Sequence, residues 1–318
     1  MDYLFIGNAF HSCFIRQPKI LGFLQRSKLG DGGKTMAGSK TRKQINETFS
    51  FFFLILITVL LCYPLVWMFF ASFKSNTEIF AGVNLLPERF NFDAYRDGWK
   101  GVARNSFSRF FTNSFLLVFP TALLTIISST LVAYGFARFE FKGKKIMFLI
   151  LLSTLMLPNS ILVIPRYALF NTLKSIDSYN PFYLMAIFAC YPFFTYMLVQ
   201  FVRGIPKELD ESARMDGCGS FRILISILLP LLKPALFSAG LFQFLWTYND
   251  YFNSLIYINS VKKYTVSLGL RMFIDSDIVI IWKNVMAMSC LAVLPVVILF
   301  FLCQRYFIEG IATTGLKG

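Results

Sequence analysis

A charged segment between two long apolar stretches carries the clearest helix signals in the sequence. Pro206 suits a first helical position, and Glu208, Asp210 and Glu211 place negative charge on the first turn, where the helix dipole favours it. Gly217 offers the left-handed backbone geometry that commonly ends a helix. The pattern predicts a short helix of about two to three turns outside the bilayer. Its chemistry would be recognition: a small exposed helix that docks into a groove on a partner.

Neighbouring residues complete this local prediction. Asp210 is expected to pair with Arg214, four residues later. Ser220 is expected to cap the helix that follows. Ser212 and Ala213 give the docking helix small side chains. The alternative is an ordinary loop helix between two membrane spans, and the helix signals alone favour that alternative.

A later apolar stretch contains polar and aromatic side chains at three- and four-residue steps: Trp246, Asn249, Asp250, Asn253 and Tyr257. That spacing places them on one helical face. A carboxylate within a span is costly unless it faces protein or a water-filled cavity, so Asp250 is a candidate functional residue. Aromatic, amide and carboxylate groups together suit sugars. The alternative is interfacial anchoring, for which Trp and Tyr are typical.

The composition requires a membrane environment for most of the chain. Hydrophobic residues make up 56% of the sequence, 38 residues are Phe, and the mean hydropathy is +0.60. A spanning helix takes about 20 apolar residues, and barrel strands are shorter and alternate. The sequence therefore predicts an all-α polytopic membrane helical bundle with six transmembrane helices. The expected spans are 49–72, 111–136, 146–165, 181–202, 235–258 and 284–304.

Charge constrains partners and orientation. The net charge of +14 could suggest nucleic acid, but the basic residues flank the apolar stretches and form no compact domain, so a membrane surface explains them. An even number of spans puts both termini on one side. Basic residues beside the loops around 137–145 and 203–222 favour the cytoplasm for that side, although the proposed outer loops are basic too. The six cysteines and His11 predict neither a disulfide framework nor a metal site.

One glycine-rich segment and one aromatic loop do not decide between functions. GDGGKT at 30–35 is not a phosphate loop, because Lys28 stands where that motif needs glycine and no buried strand precedes it. If ATP is used, another chain binds it. The long aromatic loop 73–110 either meets a soluble partner or simply covers the bundle.

The charged segment also resembles the cytoplasmic coupling loop of ABC importer permeases. The pattern of that loop is Glu-Ala-Ala, three residues, Gly, nine residues, Ile, one residue and Leu-Pro. It is met here by Glu211, Ser212, Ala213, Gly217, Ile227, Leu229 and Pro230, and Ser212 is the one departure. We refer to residues 206–221 as the coupling loop.

Further stretches extend the resemblance over roughly residues 50–318. They are YGFARFEFKGKK at 134–145, MLPNSILVIPRYALF at 156–170, the Asn249–Asp250 pair and the tail QRYFIEGIATTGLKG at 304–318. Together they resemble carbohydrate-uptake ABC importer permeases of the maltose-transporter type. Tyr248, where the family often has Trp, and the tail ending GIATTGLKG depart from the family pattern and weaken any inference about the solute.

The resemblance implies a non-catalytic transport subunit in the bacterial cell membrane, with both termini cytoplasmic. Its partners would be a second homologous permease in a heterodimer, two ATPase subunits that hold ATP and Mg, an extracellular solute-binding protein and membrane lipid. No nucleic acid and no cofactor of its own are implied. Its domains would be an N-terminal cytoplasmic tail at 1–48, a six-span permease domain at 49–304 and a cytoplasmic tail at 305–318. Because the segment from Met36 would make a plausible start by itself, residues 1–35 are expected to be either a start-site artefact or a flexible tail.

The same resemblance assigns residues to two roles, and the shared helical face described above assigns residues to a third. ATPase coupling falls to Glu211, Ser212, Ala213, Arg214, Asp216 and Gly217. A position near the ATPase falls to the tail residues Gln304, Arg305, Gly315 and Lys317. Trp246, Asn249, Asp250 and Asn253 are candidates for the translocation path.

Three alternatives to a sugar importer remain. The first is an importer permease for a non-sugar solute. The second is a stand-alone channel or proton-coupled carrier, but such proteins usually carry several intramembrane charges, and the predicted spans hold little beyond Asp250. The third is a membrane scaffold, which would not need the coupling pattern. The last two predict independence from a cytoplasmic ATPase.

Overall fold

The computed structural model describes residues 36–82, 84–102, 104–275 and 280–315. The chain divides into two compact units, residues 1–63 and 64–318. Within the described ranges there is no β-strand, and one isolated antiparallel bridge joins Val102 to Asn105. The all-α prediction is confirmed.

Fourteen α-helices account for most of the described chain. Their bounds are α1 Met36–Ala71, α2 Asn76–Ala81, α3 Asp93–Lys100, α4 Phe107–Arg138, α5 Lys144–Leu155, α6 Asn159–Thr172, α7 Asn180–Ile187, α8 Pro192–Gly204, α9 Glu208–Met215, α10 Ser220–Ile223, α11 Leu229–Tyr248, α12 Tyr251–Tyr257, α13 Val266–Asp275 and α14 Trp282–Gly315. A π-helix, Leu224–Leu228, joins α10 to α11, and a short 3₁₀ helix, Val261–Lys263, precedes α13.

Five helical segments in the described residues are long and apolar enough to cross a membrane, and a bent pair would make a sixth. The segments are Thr48–Ala71, Phe107–Arg138, Asn180–Gly204, Ser220–Tyr248 and Trp282–Gln304. The polytopic bundle is therefore confirmed, with spans close to those predicted in four of the six cases.

The third predicted span, 146–165, is wrong as one continuous helix. Helices α5 and α6 meet at an angle of 105° across a break of three residues. Pro158 lies at this break with an extended backbone, φ −61° and ψ 134°. Proline has no amide hydrogen to donate, and it disfavours helical geometry in the residue before it, so the helix ends there.

The fifth predicted span, 235–258, is wrong at both ends. The apolar helical segment begins at Ser220 and ends at Tyr248, and α12 is a separate helix that begins at Tyr251. The Asp250 carboxylate accepts a hydrogen bond from the backbone N–H of Asn253 and so caps α12. A side chain that caps a new helix in this way competes with continuation of the preceding one.

Helix α4 forms the centre of the second unit, packing against α7, α8 and α11. Near its start, Phe107 and Phe110 are fully buried in a cluster with residues of α11, α13 and α14. Near its end, Tyr134 and Ala137 pack in a second cluster. The other buried members of that second cluster are Val202, Ala213, Ile223, Leu224, Leu228 and Leu232.

The long loop 73–110 packs against the bundle through α2 and α3. Lys74, which the sequence places among the outer basic residues, is buried and donates to the carbonyl oxygen of Asn84. The Asn76 amide donates to the carbonyl oxygen of Ile280 at 2.8 Å. A Cβ on Gly98 would lie 2.8 Å from the terminal methyl of Met288, so α3 lies very close to α14. These contacts support the covering interpretation of the loop.

The predicted boundaries between the tails and the permease domain, at 48/49 and 304/305, both fall inside a helix. Helix α1 already begins at Met36, within the predicted tail 1–48. Helix α14 continues through Gln304 to Gly315 without a break. His11, Cys13 and the GDGGKT segment lie outside the described residues.

Candidate functional site

The coupling loop contains the predicted short helix. Helix α9 has eight residues, about two turns, with Glu208, Asp210 and Glu211 in its first turn. It begins at Glu208 and not at Pro206, so the predicted role of that proline is wrong. The predicted cap at Ser220 is also wrong, because Gly219 takes the cap position and Ser220 is the first residue of α10.

Gly217 closes α9 in the left-handed conformation, as predicted, with φ +80°. Its N–H donates to the carbonyl oxygen of Arg214, and the N–H of Cys218 donates to that of Ala213, both at 2.9 Å. No heavy atom lies within 4 Å of the position of an added Cβ. The backbone geometry alone therefore favours glycine here, since a left-handed φ strains residues that have a Cβ.

Asp210 points into the protein and not along the surface of α9. Its Oδ2 lies 2.7 Å from the Nε of Arg138, and the two side chains are 7% and 2% exposed. The predicted pair with Arg214 is wrong. A buried carboxylate needs a partner at the same depth, and Arg214 lies on the exposed side of the helix. Arg138 is a site residue that the sequence analysis did not single out.

The exposed face of α9 is partly apolar. Met215 is 89% exposed and Leu209 is 43% exposed, beside the exposed Glu211 and Ser212. Ala213, predicted among the coupling residues, is 6% exposed and lies on the opposite side, against the core. The remaining predicted coupling residues, Arg214, Asp216 and Gly217, are exposed. The signal that would have found Leu209 and Met215 is an apolar side chain at a surface position of a charged helix.

The predicted face around Asp250 does not exist as one helical face, because the helix breaks between Tyr248 and Tyr251. The structure instead brings Asp250 and Asn253 together: Asp250 Oδ1 accepts from the Asn253 backbone at 3.0 Å, and Oδ2 accepts from its amide at 2.8 Å. Asn249 is exposed, and its side chain donates to the carbonyl oxygen of Leu245.

The two aromatic members of the predicted face lie in different surroundings. Trp246 is 48% exposed and packs against Phe193 and Phe194, with ring centroids at 5.0 and 5.1 Å. Tyr257 is completely buried and meets Phe170 and Phe182 edge to face. Trp246 and Tyr257 therefore pack in different places. Of the side chains on the predicted face, only those of Asp250 and Asn253 are hydrogen-bonded to each other among the described residues.

Further polar residues lie near this helix break. The phenols of Tyr191 and Tyr257 are within electrostatic reach of both Asp250 and Arg166. The Arg166 guanidinium donates to the side-chain oxygen of Asn159 at 2.9 Å. Tyr191 and Arg166 each adjoin a proline in the sequence. Broken helices at membrane depth are tolerated where they line a cavity or are buried in protein, so polar residues beside such prolines are the signal that identifies this group.

A polar clamp connects two loops outside the spanning helices. The Asp177 carboxylate accepts from the backbone N–H groups of Asn259 and Ser260, from the Ser260 hydroxyl at 2.6 Å and from Lys263 at 2.9 Å. Partial burial by itself would raise the pKa of Asp177. The hydrogen bonds from Ser260, Lys263 and Asn259 outweigh burial and hold that pKa well below its usual value. Sequence reasoning gave no indication of this clamp.

The predicted tail site is described only in part. Gln304 is exposed on α14, and the same helix continues through Arg305 to Gly315. Lys317 lies outside the described residues, and a position near an ATPase stays a prediction.

Comparison with protein families gives a match over residues 126–313 to the model described as "Binding-protein-dependent transport system inner membrane component". The chain belongs to this family. It is therefore the membrane component of a transport system, and the matched region contains both the coupling loop and the helix break at Asp250.

Curated relatives cover most of this inner membrane component. The arabinooligosaccharides transport system permease protein AraQ of Bacillus subtilis is 32% identical over 84% of this chain and 94% of its own length. The trehalose/maltose transport system permease protein MalG of Thermococcus litoralis is 29% identical over 83% and 94%. The sn-glycerol-3-phosphate transport system permease protein UgpE of Brucella abortus is 30% identical over 86% and 98%.

A solved structure shares the fold of this inner membrane component. It is a crystal structure of a bacterial ABC transporter involved in the import of the acidic polysaccharide alginate, with a TM-score of 0.73 and 20% identity over 87% of this chain and all of that chain. At this identity the likeness shows the fold alone.

Proposed function

We propose that this inner membrane component is one of two unlike permease subunits of an ATP-driven importer. With the second permease it forms the translocation path for a sugar or oligosaccharide that an extracellular solute-binding protein delivers. The relatives named for arabinooligosaccharides and for trehalose/maltose support the substrate class. A further solved importer, crystallised with an alginate pentasaccharide-bound periplasmic protein, shares the fold at a TM-score of 0.58 and supports a binding-protein partner.

The observation that carries the proposal is the geometry of α9. It is a two-turn helix between two spanning segments, with an exposed face, a left-handed glycine at its end and a buried ion pair on its inner side. A helix whose inner side is held against the core and whose outer face is exposed is suited to docking. We place it in the cytoplasm against one of two ATPase subunits, which hold ATP and Mg, with both termini of this chain on the same side.

A non-sugar solute is the second candidate, and a specific observation supports it. UgpE, named for sn-glycerol-3-phosphate, is as similar to this chain as the oligosaccharide relatives are. The two candidates are separated by titrating the cognate binding protein with arabinooligosaccharides, maltose, trehalose and sn-glycerol 3-phosphate. If calorimetry detects binding of sn-glycerol 3-phosphate and of none of the sugars, the sugar assignment is excluded.

The ATPase contact is tested by cross-linking in membranes that contain the whole importer. With the native cysteines replaced by serine, Ser212→Cys carries a benzophenone probe on the exposed face of α9. We expect an adduct with a subunit that is also photolabelled by 8-azido-ATP.

Two matched variants control this experiment. Ala213→Cys places the probe one residue away on the buried face and should react poorly, because Ala213 is 6% exposed. Lys262→Cys places it at an exposed position in another loop and should react without giving the ATPase adduct. An azido-ATP-labelled adduct from Lys262→Cys but not from Ser212→Cys would refute the proposed contact.

A further inference from the structure

Arg138 lies where three elements meet. It is the last residue of α4. Its Nη2 donates to the carbonyl oxygen of Ile205, which directly follows α8, at 2.9 Å, and its Nε lies 2.7 Å from Asp210 of α9. One guanidinium therefore connects the ends of two long helices to the coupling loop.

The ion pair between Arg138 and Asp210 is buried. The Arg138 side chain is 2% exposed and the Asp210 side chain 7% exposed, so water does not compete for either group. A buried ion pair is a weak source of stability, since apolar side chains of similar size are often as stable. The Arg138 guanidinium, however, donates from Nη2 to the carbonyl oxygen of Ile205 while its Nε faces Asp210, so one rigid planar group spans both partners, which an apolar side chain does not.

A second contact ties the other end of the coupling loop to the same helix. The Tyr134 hydroxyl, four residues before Arg138 in α4, donates to the carbonyl oxygen of Ser220 at 3.0 Å. Beyond Ser220 the chain enters α11 through the π-helix Leu224–Leu228. These two polar contacts of the coupling loop are both made to α4, and Arg138 joins α4 to the end of α8, while the covalent exit of the loop passes through the π-helix.

We propose that Arg138 is a positioning residue that joins the coupling loop to α4 and α8, so that a displacement of α9 moves these helices with it as one body. The source of that displacement, an ATPase docked on the exposed face of α9, rests on the proposed function. The connection of the coupling loop to α4 and α8 through Arg138, which we call the joint, does not rest on it. The joint can be measured without nucleotide.

The test measures distance distributions between spin labels by electron paramagnetic resonance on the full importer in nanodiscs. The labels are placed at Met215→Cys in the coupling loop and Val132→Cys on α4, both at exposed positions, with the native cysteines replaced. The parent should give a single narrow peak. The double variant Arg138→Met/Asp210→Leu removes both charges together, which avoids leaving one charge buried alone and keeps the fold. We expect it to assemble and to lose the narrow peak.

Two further variants keep the test decisive. Lys207→Met removes an exposed basic side chain from the same loop, outside the predicted coupling residues, and should leave the peak unchanged. Arg138→Lys keeps the charge opposite Asp210 but lacks the planar guanidinium that reaches Asp210 and the carbonyl oxygen of Ile205 at once. It should give a peak of intermediate width, even if the double variant does not assemble.

The outcomes separate the joint from the proposed function. A narrow peak at the parent distance in the double variant, or in Arg138→Lys where the double variant fails to assemble, overturns the joint. Suppose that the double variant loses the narrow peak, and that Ser212→Cys in the importer with native Arg138 and Asp210 gives no adduct with the ATPase. That result would support the joint and overturn the ATPase contact.

Discussion

Asp250 combines a structural role with a candidate path role in one carboxylate. Replacing it with Ala removes the cap of α12, which costs about 0.5–2 kcal/mol in comparable helices. Asn caps as well as Asp does but carries no charge. The pair of variants therefore separates capping from charge.

We expect both Asp250→Ala and Asp250→Asn to change the uptake kinetics of the importer, with only the Ala variant also losing thermal stability. Uptake of the solute bound by the cognate binding protein and the unfolding temperature are the two measurements. Normal uptake by Asp250→Asn would assign Asp250 to capping alone.

Gly217 acts through its backbone and not through its surroundings. Its φ of +80° strains any residue with a Cβ by about 1–3 kcal/mol, although the space beside it is open. Gly217→Val should therefore displace the end of α9 and separate ATP hydrolysis from uptake.

Gly219→Ala is the matched control for Gly217→Val, because Gly219 has φ −71° and equally open space. The ratio of solute taken up to ATP hydrolysed by the reconstituted importer is the measurement. An unchanged ratio in Gly217→Val, or the same fall in both variants, would contradict the prediction.

At the scale of elements, the Asp177 clamp connects the loop before α7 to the loop between α12 and α13. Its lowered pKa means that the folded protein stabilises the ionised carboxylate. The contribution of Asp177 to stability is complete above the ordinary aspartate pKa of about 3.9 and is lost as the pH falls below that value toward the folded-state pKa.

We expect the unfolding temperature of the parent protein to fall more steeply than that of Asp177→Asn as the pH drops below about 3.9. The reason is that the variant has no carboxylate to protonate. Unfolding temperatures in detergent across that range give the two slopes. Parallel slopes would show that the clamp does not depend on ionisation.

The helix breaks have local causes with long-range effects. Pro158 and the Asp250 cap each end a helix through chain geometry within a few residues. Near these breaks, Arg166 and Asp250, which belong to different elements, both come within electrostatic reach of Tyr191. Such grouping is typical of places where membrane helices are interrupted.

At the scale of the whole molecule, the segment Ser220–Tyr248 separates the coupling loop from the clamp loops. If that segment crosses the bilayer, the two ends must face opposite compartments. We expect Met215→Cys to react with a membrane-impermeant maleimide only in inside-out vesicles, and Lys262→Cys only in right-side-out vesicles. Labelling of both residues from one side would refute this topology.

The sequence by itself determined the features that depend on nearby residues. Apolar length indicated the helical membrane class, the acidic residues indicated the first turn of α9, and Gly217 indicated its left-handed end. It also indicated Asp250 as a residue of interest, because an acid in an apolar stretch needs a reason. These signals are local, since each depends on a few consecutive residues.

Only the tertiary structure decided which partners these residues have. Arg214 is the nearest basic residue to Asp210 on the helix, yet burial turns Asp210 toward Arg138 at the end of α4. The same packing places Ala213 beneath α9 and leaves Met215 on its surface. Choice of partner depends on which faces are removed from water when distant helices pack, and spacing along one helix carries no information about that.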